Sequence, residues 1–273
     1  MEIEFVKINP TQNMTILVES PVERRLQRTV AGLLMSYEGV YAEQVGYIER
    51  PFDDRAWGRL RMAGGEFCGN AAMSLAAYLA WKRELAGGSE VSVFLEASGA
   101  EGLIECDVRA GEDSYACTLS MPLPERIDMV TLPVAGVPRD FTAVWLPGIT
   151  HIMASSGDVG DDMRAWAERA AEEWKNEIES EAFGIMMLDE ASCRIDPLVC
   201  VKSSGTLVWE RGCGSGSAAV GAYMARKASR SSKSMVSQPG GVITVGAEYS
   251  EGKITALSIT GNVKIVARGV AYL

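Results

Sequence analysis

Two cysteines in this chain each open a near-copy of the same segment. Cys68-Gly69-Asn70-Ala71-Ala72-Met73-Ser74-Leu75-Ala76-Ala77-Tyr78-Leu79-Ala80 aligns without a gap on Cys213-Gly214-Ser215-Gly216-Ser217-Ala218-Ala219-Val220-Gly221-Ala222-Tyr223-Met224-Ala225, with five of thirteen positions identical. Both segments continue in good helix formers, so each thiol is expected at a helix N-terminus. There the unpaired backbone N–H groups and the positive end of the helix dipole favour an anion. That setting lowers a thiol pKa and lets the same N–H groups of Gly69, Asn70, Gly214 and Ser215 hold a carboxylate. One thiol per half suits proton exchange at a carbon centre. A thiolate takes the α-proton from one face, the other thiol protonates the opposite face, and the backbone donors stabilise the charge that spreads onto the carboxylate. This chemistry requires no cofactor. Against it stands the plain reading of the two Cys-Gly pairs as helix-start packing motifs with inert thiols.

The elements that must position these cysteines also recur. In the first half a helical pattern from Pro21 to Ser36 precedes the apolar strand Gln44–Ile48. In the second, Asp161 to Glu177 precedes Phe183–Leu188. Gly87-Gly88 and Gly240-Gly241 each introduce a further strand. A period above one hundred residues points to duplicated domains and not to a solenoid. Further strands are expected at the opening segment from Glu2, Met14–Val18, Val91–Leu95, Gly102–Val108, Tyr115–Met121, Asp140–Leu146, Ile149–Ala154, Leu198–Val201, Thr206–Trp209, Val242–Val245, Ile254–Thr260 and Val263–Ala267. Many strands with one or two helices per half give an α+β fold, each half a curved sheet around a helix. Pro122-Leu123-Pro124 marks the boundary, giving halves of 1–122 and 123–261.

With 273 residues, 47% of them hydrophobic, the chain can bury one large core or two medium ones. A net charge of −10 excludes a nucleic-acid footprint of the usual basic kind. No apolar run reaches the length of a spanning helix, so no membrane association is expected. Met1–Val18 carries Glu2 and Glu4 and has no basic stretch before an apolar core, so a cytoplasmic location is expected. Disulfides are then disfavoured. The absence of CxxC and the presence of one histidine, His151, argue against a zinc site. Cys106, Cys117, Cys193 and Cys200 read as small buried hydrophobes in strands.

The residues at and around the cysteines resemble a family. Glu66-Phe67-Cys68-Gly69-Asn70-Ala71 and Trp209-Glu210-Arg211-Gly212-Cys213-Gly214-Ser215-Gly216 look like the two active-site motifs of the diaminopimelate-epimerase superfamily of cofactor-independent racemases. With Asn9-Pro10, Asn13–Val18, Glu43-Gln44-Val45-Gly46 and Gln238-Pro239-Gly240-Gly241, the chain is most similar to the histidine racemases of opine-type (staphylopine) metallophore synthesis. The resemblance covers essentially the whole chain. It implies two pseudo-symmetric domains, each a mostly antiparallel sheet around a central helix, with the site in the cleft between them. It also implies a last strand, about 262–273, joining the first half, domain closure that excludes water, and a homodimer. Cys68 and Cys213 would be the acid/base pair, with no cofactor and no metal.

The same resemblance puts Asn13 against the substrate's polar groups, although capping its own turn is an equal reading. Glu43 is either a solvated surface residue or a carboxylate for a cationic side chain. Glu210 either holds the α-ammonium or pairs with Arg211. His151 is either structural or a border of the site. Diaminopimelate epimerases usually carry arginine where this chain has Met73, and they separate the Glu-Arg-Gly motif from the second cysteine, whereas Gly212 here abuts Cys213. Arg211 leaves a dicarboxylic substrate open. The expected function is an amino-acid racemase, foremost of histidine. The alternatives are a diaminopimelate epimerase, an isomerase of an unsaturated acid on the same fold, and a non-catalytic amino-acid-binding protein.

Overall fold

A computed structural model describes residues 1–157, 159–202 and 205–273. The chain divides into two compact units, Met1–Met121 with Thr260–Leu273, and Pro122–Ile259. The first contains β1 (Glu2–Pro10), β2 (Thr15–Val18), α1 (Arg24–Met35), β3 (Gln44–Glu49), β4 (Gly58–Met62), α2 (Gly69–Lys82), β5 (Glu90–Ala97), β6 (Ile104–Ala110) and β7 (Tyr115–Ser120). The second contains β8 (Arg126–Val134), β9 (Val137–Leu146), β10 (Ile149–Ser155), α3 (Asp161–Trp174), β11 (Ala182–Asp189), β12 (Arg194–Val201), β13 (Thr206–Trp209), α4 (Gly214–Ala228), β14 (Ser232–Gln238) and β15 (Gly241–Ser250). The final strand, β16 (Lys253–Tyr272), gives its first residues to the second unit and the rest to the first.

The duplication is visible in strand pairing. In the first unit β1 pairs antiparallel with β2, β2 parallel with β3, β3 antiparallel with β4, and β4 parallel with β5. In the second, β9 to β10, β10 to β11, β11 to β12 and β12 to β14 repeat that sequence of directions. An antiparallel outer strand flanks each set. In the first unit residues 263–272 of β16 pair with β1, and in the second β8 pairs with β9. Strand β13, paired on β12, is the addition in the second unit. The fold is α+β.

Helices α2 and α4 are the central ones, and their composition explains why. Both are apolar on nearly every side and rich in Ala, Gly and Ser, so strands can close around them. At Gly221 a Cβ would lie 2.8 Å from Val245 Cβ, so α4 meets β15 at a distance only glycine permits. Helices α1 and α3 are amphipathic instead. Helix α1 buries Gln27, Val30, Ala31 and Leu34, packing against Ile3, Ile16, Val18 and Tyr47. Helix α3 buries Ala167, Ala170, Ala171 and Trp174 against Ile152, Phe183, Ile185 and Leu198. Cys106, Cys117 and Cys200 lie buried in strands as expected. Cys193 does not: it sits half-buried in the β11–β12 turn at φ 52°, because the strand ends at Asp189. Among the described residues no helix is long and apolar enough to cross a membrane.

Candidate active site

Each of the two cysteines is the N-cap of its unit's central helix. Cys68 has extended backbone (φ −133°, ψ 112°), and its Sγ accepts the N–H of Ala71 at 3.5 Å. Cys213 repeats this (φ −109°, ψ 107°), with Sγ accepting the N–H of Gly216 at 3.3 Å. Sulfur thus occupies the place of the Ser or Asp oxygen usual at this position. A helix N-terminus of this kind favours an anion at its first turn.

In the first unit Cys68 is half-buried and its thiol donates to Gln44 Oε1 at 3.0 Å. Gln44 opens β3, and its Nε2 donates to Thr15 Oγ1 at 2.7 Å, fixing which end of the amide meets the sulfur. Thr15 in turn donates to the backbone carbonyl of Asn13 at 3.1 Å. Asn13 is buried, and its side-chain Oδ1 has no partner among the described residues. It follows Thr11 and Gln12, both at positive φ (51° and 58°), a conformation costly for β-branched threonine. Glu43 is exposed and meets Met14 O through its backbone N–H at 2.9 Å. Gly69 and Asn70 are buried in the first turn of α2. Asn13, Gln44 and Cys68 therefore form one hydrogen-bonded path, and Gln44 is the member that residue types alone did not single out.

In the second unit the grouping is denser. The Cys213 thiol is buried beside the carboxyl of Glu210, and it lies 3.7 Å from Ser215 Oγ. Ser215 Oγ is 3.0 Å from His151 Nε2 on β10. Burial pushes the Cys213 thiol well up, and the neighbouring Glu210 carboxylate pushes it further. The expectation of a lowered thiol pKa fails here: the Gly216 N–H and Ser215 hydroxyl favour the thiolate, but desolvation outweighs them. Glu210 is itself only partly covered, yet enough protein surrounds its carboxyl to raise the pKa to about 6. His151 is fully buried and its pKa falls to about 3, so the imidazole is neutral across the physiological range. Arg211 points elsewhere, its guanidinium donating to the Pro239 carbonyl at 3.2 Å. Among the described residues no group of three or more His, Cys, Asp or Glu side chains could hold a metal ion.

Gly216 is where this geometry is least tolerant. A Cβ there would lie 2.5 Å from Met186 Sδ and 3.0 Å from Cys213 Sγ. Both neighbours are buried, so the methionine must move and the cysteine must yield slightly at its N–H donor. Gly216→Ala is expected to lower turnover about tenfold or more, with a stability loss of about 1–3 kcal/mol. Steady-state kinetics beside thermal unfolding checks this.

A family model described as the histidine racemase CntK N-terminal domain matches residues 2–272. A histidine racemase of Staphylococcus aureus is 30% identical over 273 residues, covering 99% of this chain and 98% of that protein. A histidine racemase of Fusobacterium nucleatum is 28% identical over 275 residues, covering 99% and 97%. Among solved structures, a hydroxyproline epimerase from Agrobacterium vitis superposes with a TM-score of 0.71 at 13% identity, covering 100% of this chain and 93% of that one, which speaks for the fold. A match of this extent, on a chain carrying a cysteine cap on each central helix, places it plainly: it belongs to the histidine racemase family and is an isomerase.

Proposed function

We propose that the chain racemises histidine without a cofactor, with Cys68 and Cys213 as the acid/base pair. The observation that carries this reading is the repetition of one device, a cysteine N-cap on the central helix of each unit. In this mechanism one thiolate removes the α-proton of the amino acid and the other thiol protonates the opposite face. First-turn N–H groups of Gly69, Asn70, Gly214 and Ser215 receive the carboxylate as it gains enolate character. Glu210 accepts the proton of Cys213. Its raised pKa makes it a stronger base than an ordinary carboxylate. Asn13, with its orphaned Oδ1, accepts from a donor on the substrate. Glu43, exposed beside Gln44, offers a carboxylate to a cationic side chain. His151 orients Ser215 as a neutral hydrogen-bonding partner.

Arg211 takes no part in substrate recognition in this reading, because its guanidinium is engaged at Pro239; that disfavours a distal carboxylate and hence a diaminopimelate epimerase. The enzyme works in the cytoplasm as a homodimer, and its D-product feeds an opine-type metallophore. Incubation with L-histidine, other L-amino acids and LL-diaminopimelate, followed by chiral chromatography, tests the assignment. D-histidine is the expected main product. Conversion of diaminopimelate alone would replace histidine as the substrate, and conversion of none would overturn the racemase reading.

A further inference from the structure

The tip of the β14–β15 hairpin meets the Cys213 loop at four points. Gln238 closes β14 opposite Gly241, across a two-residue turn of Pro239 and Gly240. Its side chain is buried, and its Oε1 accepts the backbone N–H of Cys213 at 2.7 Å. Its Nε2 donates to Ser217 Oγ at 2.9 Å, and Ser217 Oγ donates back to the Cys213 carbonyl at 2.7 Å. The turn adds two bonds of its own: Gly240 N–H donates to Arg211 O at 2.6 Å, and Arg211 donates to Pro239 O at 3.2 Å. Both backbone groups of Cys213 are therefore fixed by one closed ring, and the arginine before it is tied to the same turn.

We infer that Gln238 is a positioning residue for the reaction: through Ser217 it clamps the Cys213 backbone so that Sγ stays on the Gly216 N–H and against Glu210, while Arg211 anchors the hairpin tip. The chemistry requires an amide at 238. One end must accept from a peptide N–H and the other must donate to a hydroxyl that is already donating, and glutamine supplies both. Gln238, Cys213 and Ser217 are buried within the second unit, where a missing partner is costly. Fixing a base at the sub-ångström level is a recognised source of rate. This inference rests on Cys213 being a reacting group.

The test uses the full enzyme with Gln238→Glu, Gln238→Leu and Ser217→Ala. It measures kcat and KM for histidine, thermal unfolding, and the pH profile of Cys213 alkylation by iodoacetamide, read peptide by peptide. Gln238→Glu still accepts from Cys213 N–H but cannot donate to Ser217, and its charge adds to that of Glu210. Expected are a fall in kcat of about tenfold or more with KM held within about threefold, and an upward shift of the Cys213 alkylation profile. Ser217→Ala gives a smaller loss in the same direction. Gln238→Leu loses both activity and thermal stability, and if it fails to fold the other two variants decide. A folded Gln238→Glu enzyme with kcat within about twofold of the parent and an unchanged alkylation profile would overturn the clamp. Retained turnover in Cys213→Ala would instead remove Cys213 from the chemistry, while the alkylation profile would still report on Gln238.

Discussion

Replacing either Cys68 or Cys213 by alanine is expected to abolish racemisation of histidine while leaving a folded protein. The loss is about 10³-fold or more in turnover, because each substitution deletes a whole proton-transfer group and no neighbouring side chain can stand in for it. Gln44, which accepts from the Cys68 thiol, is an amide without a titratable proton. Near Cys213 the candidates are Ser215, whose hydroxyl is too weak an acid, and Glu210, whose role here is to take the proton from the sulfur. The structural cost is small by comparison. Cys68 is half-exposed, and its cap is a single weak bond at 3.5 Å. Cys213 is buried, but it keeps both backbone anchors, to Gln238 and Ser217, whatever its side chain. Circular dichroism and thermal unfolding beside the activity assay separate the two effects. An alanine variant that unfolds at the parent's temperature and still produces D-histidine at a comparable rate would remove that cysteine from the mechanism.

Glu210→Gln is expected to lower turnover about 10²-fold or more and to change the pH dependence. In the parent the acid limb of the activity profile lies near pH 6. As pH falls through that value the carboxyl takes up a proton and can no longer accept one from Cys213. The limb belongs to the coupled Glu210–Cys213 pair, and it should disappear in the glutamine variant. Stability moves the other way. Glu210 has a folded pKa raised above its ordinary 4.5, so the folded protein holds the proton more tightly than the unfolded chain. Stability therefore declines as pH rises from 4.5 through about 6, and the charged carboxylate carries a penalty, on the order of 1 kcal/mol, at neutral pH and above. Glutamine lacks that charge, so the variant should unfold at pH 8 no more easily than the parent. A variant that is inactive and equally or more stable separates a chemical role from a packing role. One that keeps both its turnover and its acid limb would exclude Glu210 from the proton path.

Much of this arrangement was legible in the residues. The cysteine repeat marked both central helices because Ala-rich, Pro-free runs after Cys-Gly admit little else, and both helices begin where the repeat does. Helices α1 and α3 carried the usual 3.6-residue apolar period. Strands with mixed surroundings were harder to read. β4 alternates arginine with apolar residues over only five positions. β8 carries Arg126, Asp128 and Pro133, and β14 reads Ser-Lys-Ser-Met-Val-Ser-Gln, each with one face outward. The two closing segments from Ile254 and Val263 are one strand of 20 residues, since Gly261 and Asn262 stay extended instead of turning.

For the proposed site, the cysteines, Asn13, Glu210 and Ser215 were candidates by motif and residue type. Gln44 and Gln238 could not be given roles, because a neutral amide announces no chemistry until its partners are known. The thiol environment was misjudged for a related reason. A helix N-terminus is visible in sequence, whereas burial of Cys213 and the approach of Glu210 arise only from the fold.

The most direct test of two opposed thiols is the fate of the α-proton. The enzyme is run briefly in D₂O with protiated L-histidine, and the unreacted L-histidine and newly formed D-histidine are separated and read by mass spectrometry. A thiol carries one proton, so two thiols acting from opposite faces deliver deuterium to the D-product while the recovered L-substrate keeps its protium. Deuterium appearing equally in both pools from the first turnovers, or protium carried over into the product, would mean that a single base serves both faces and would contradict the account.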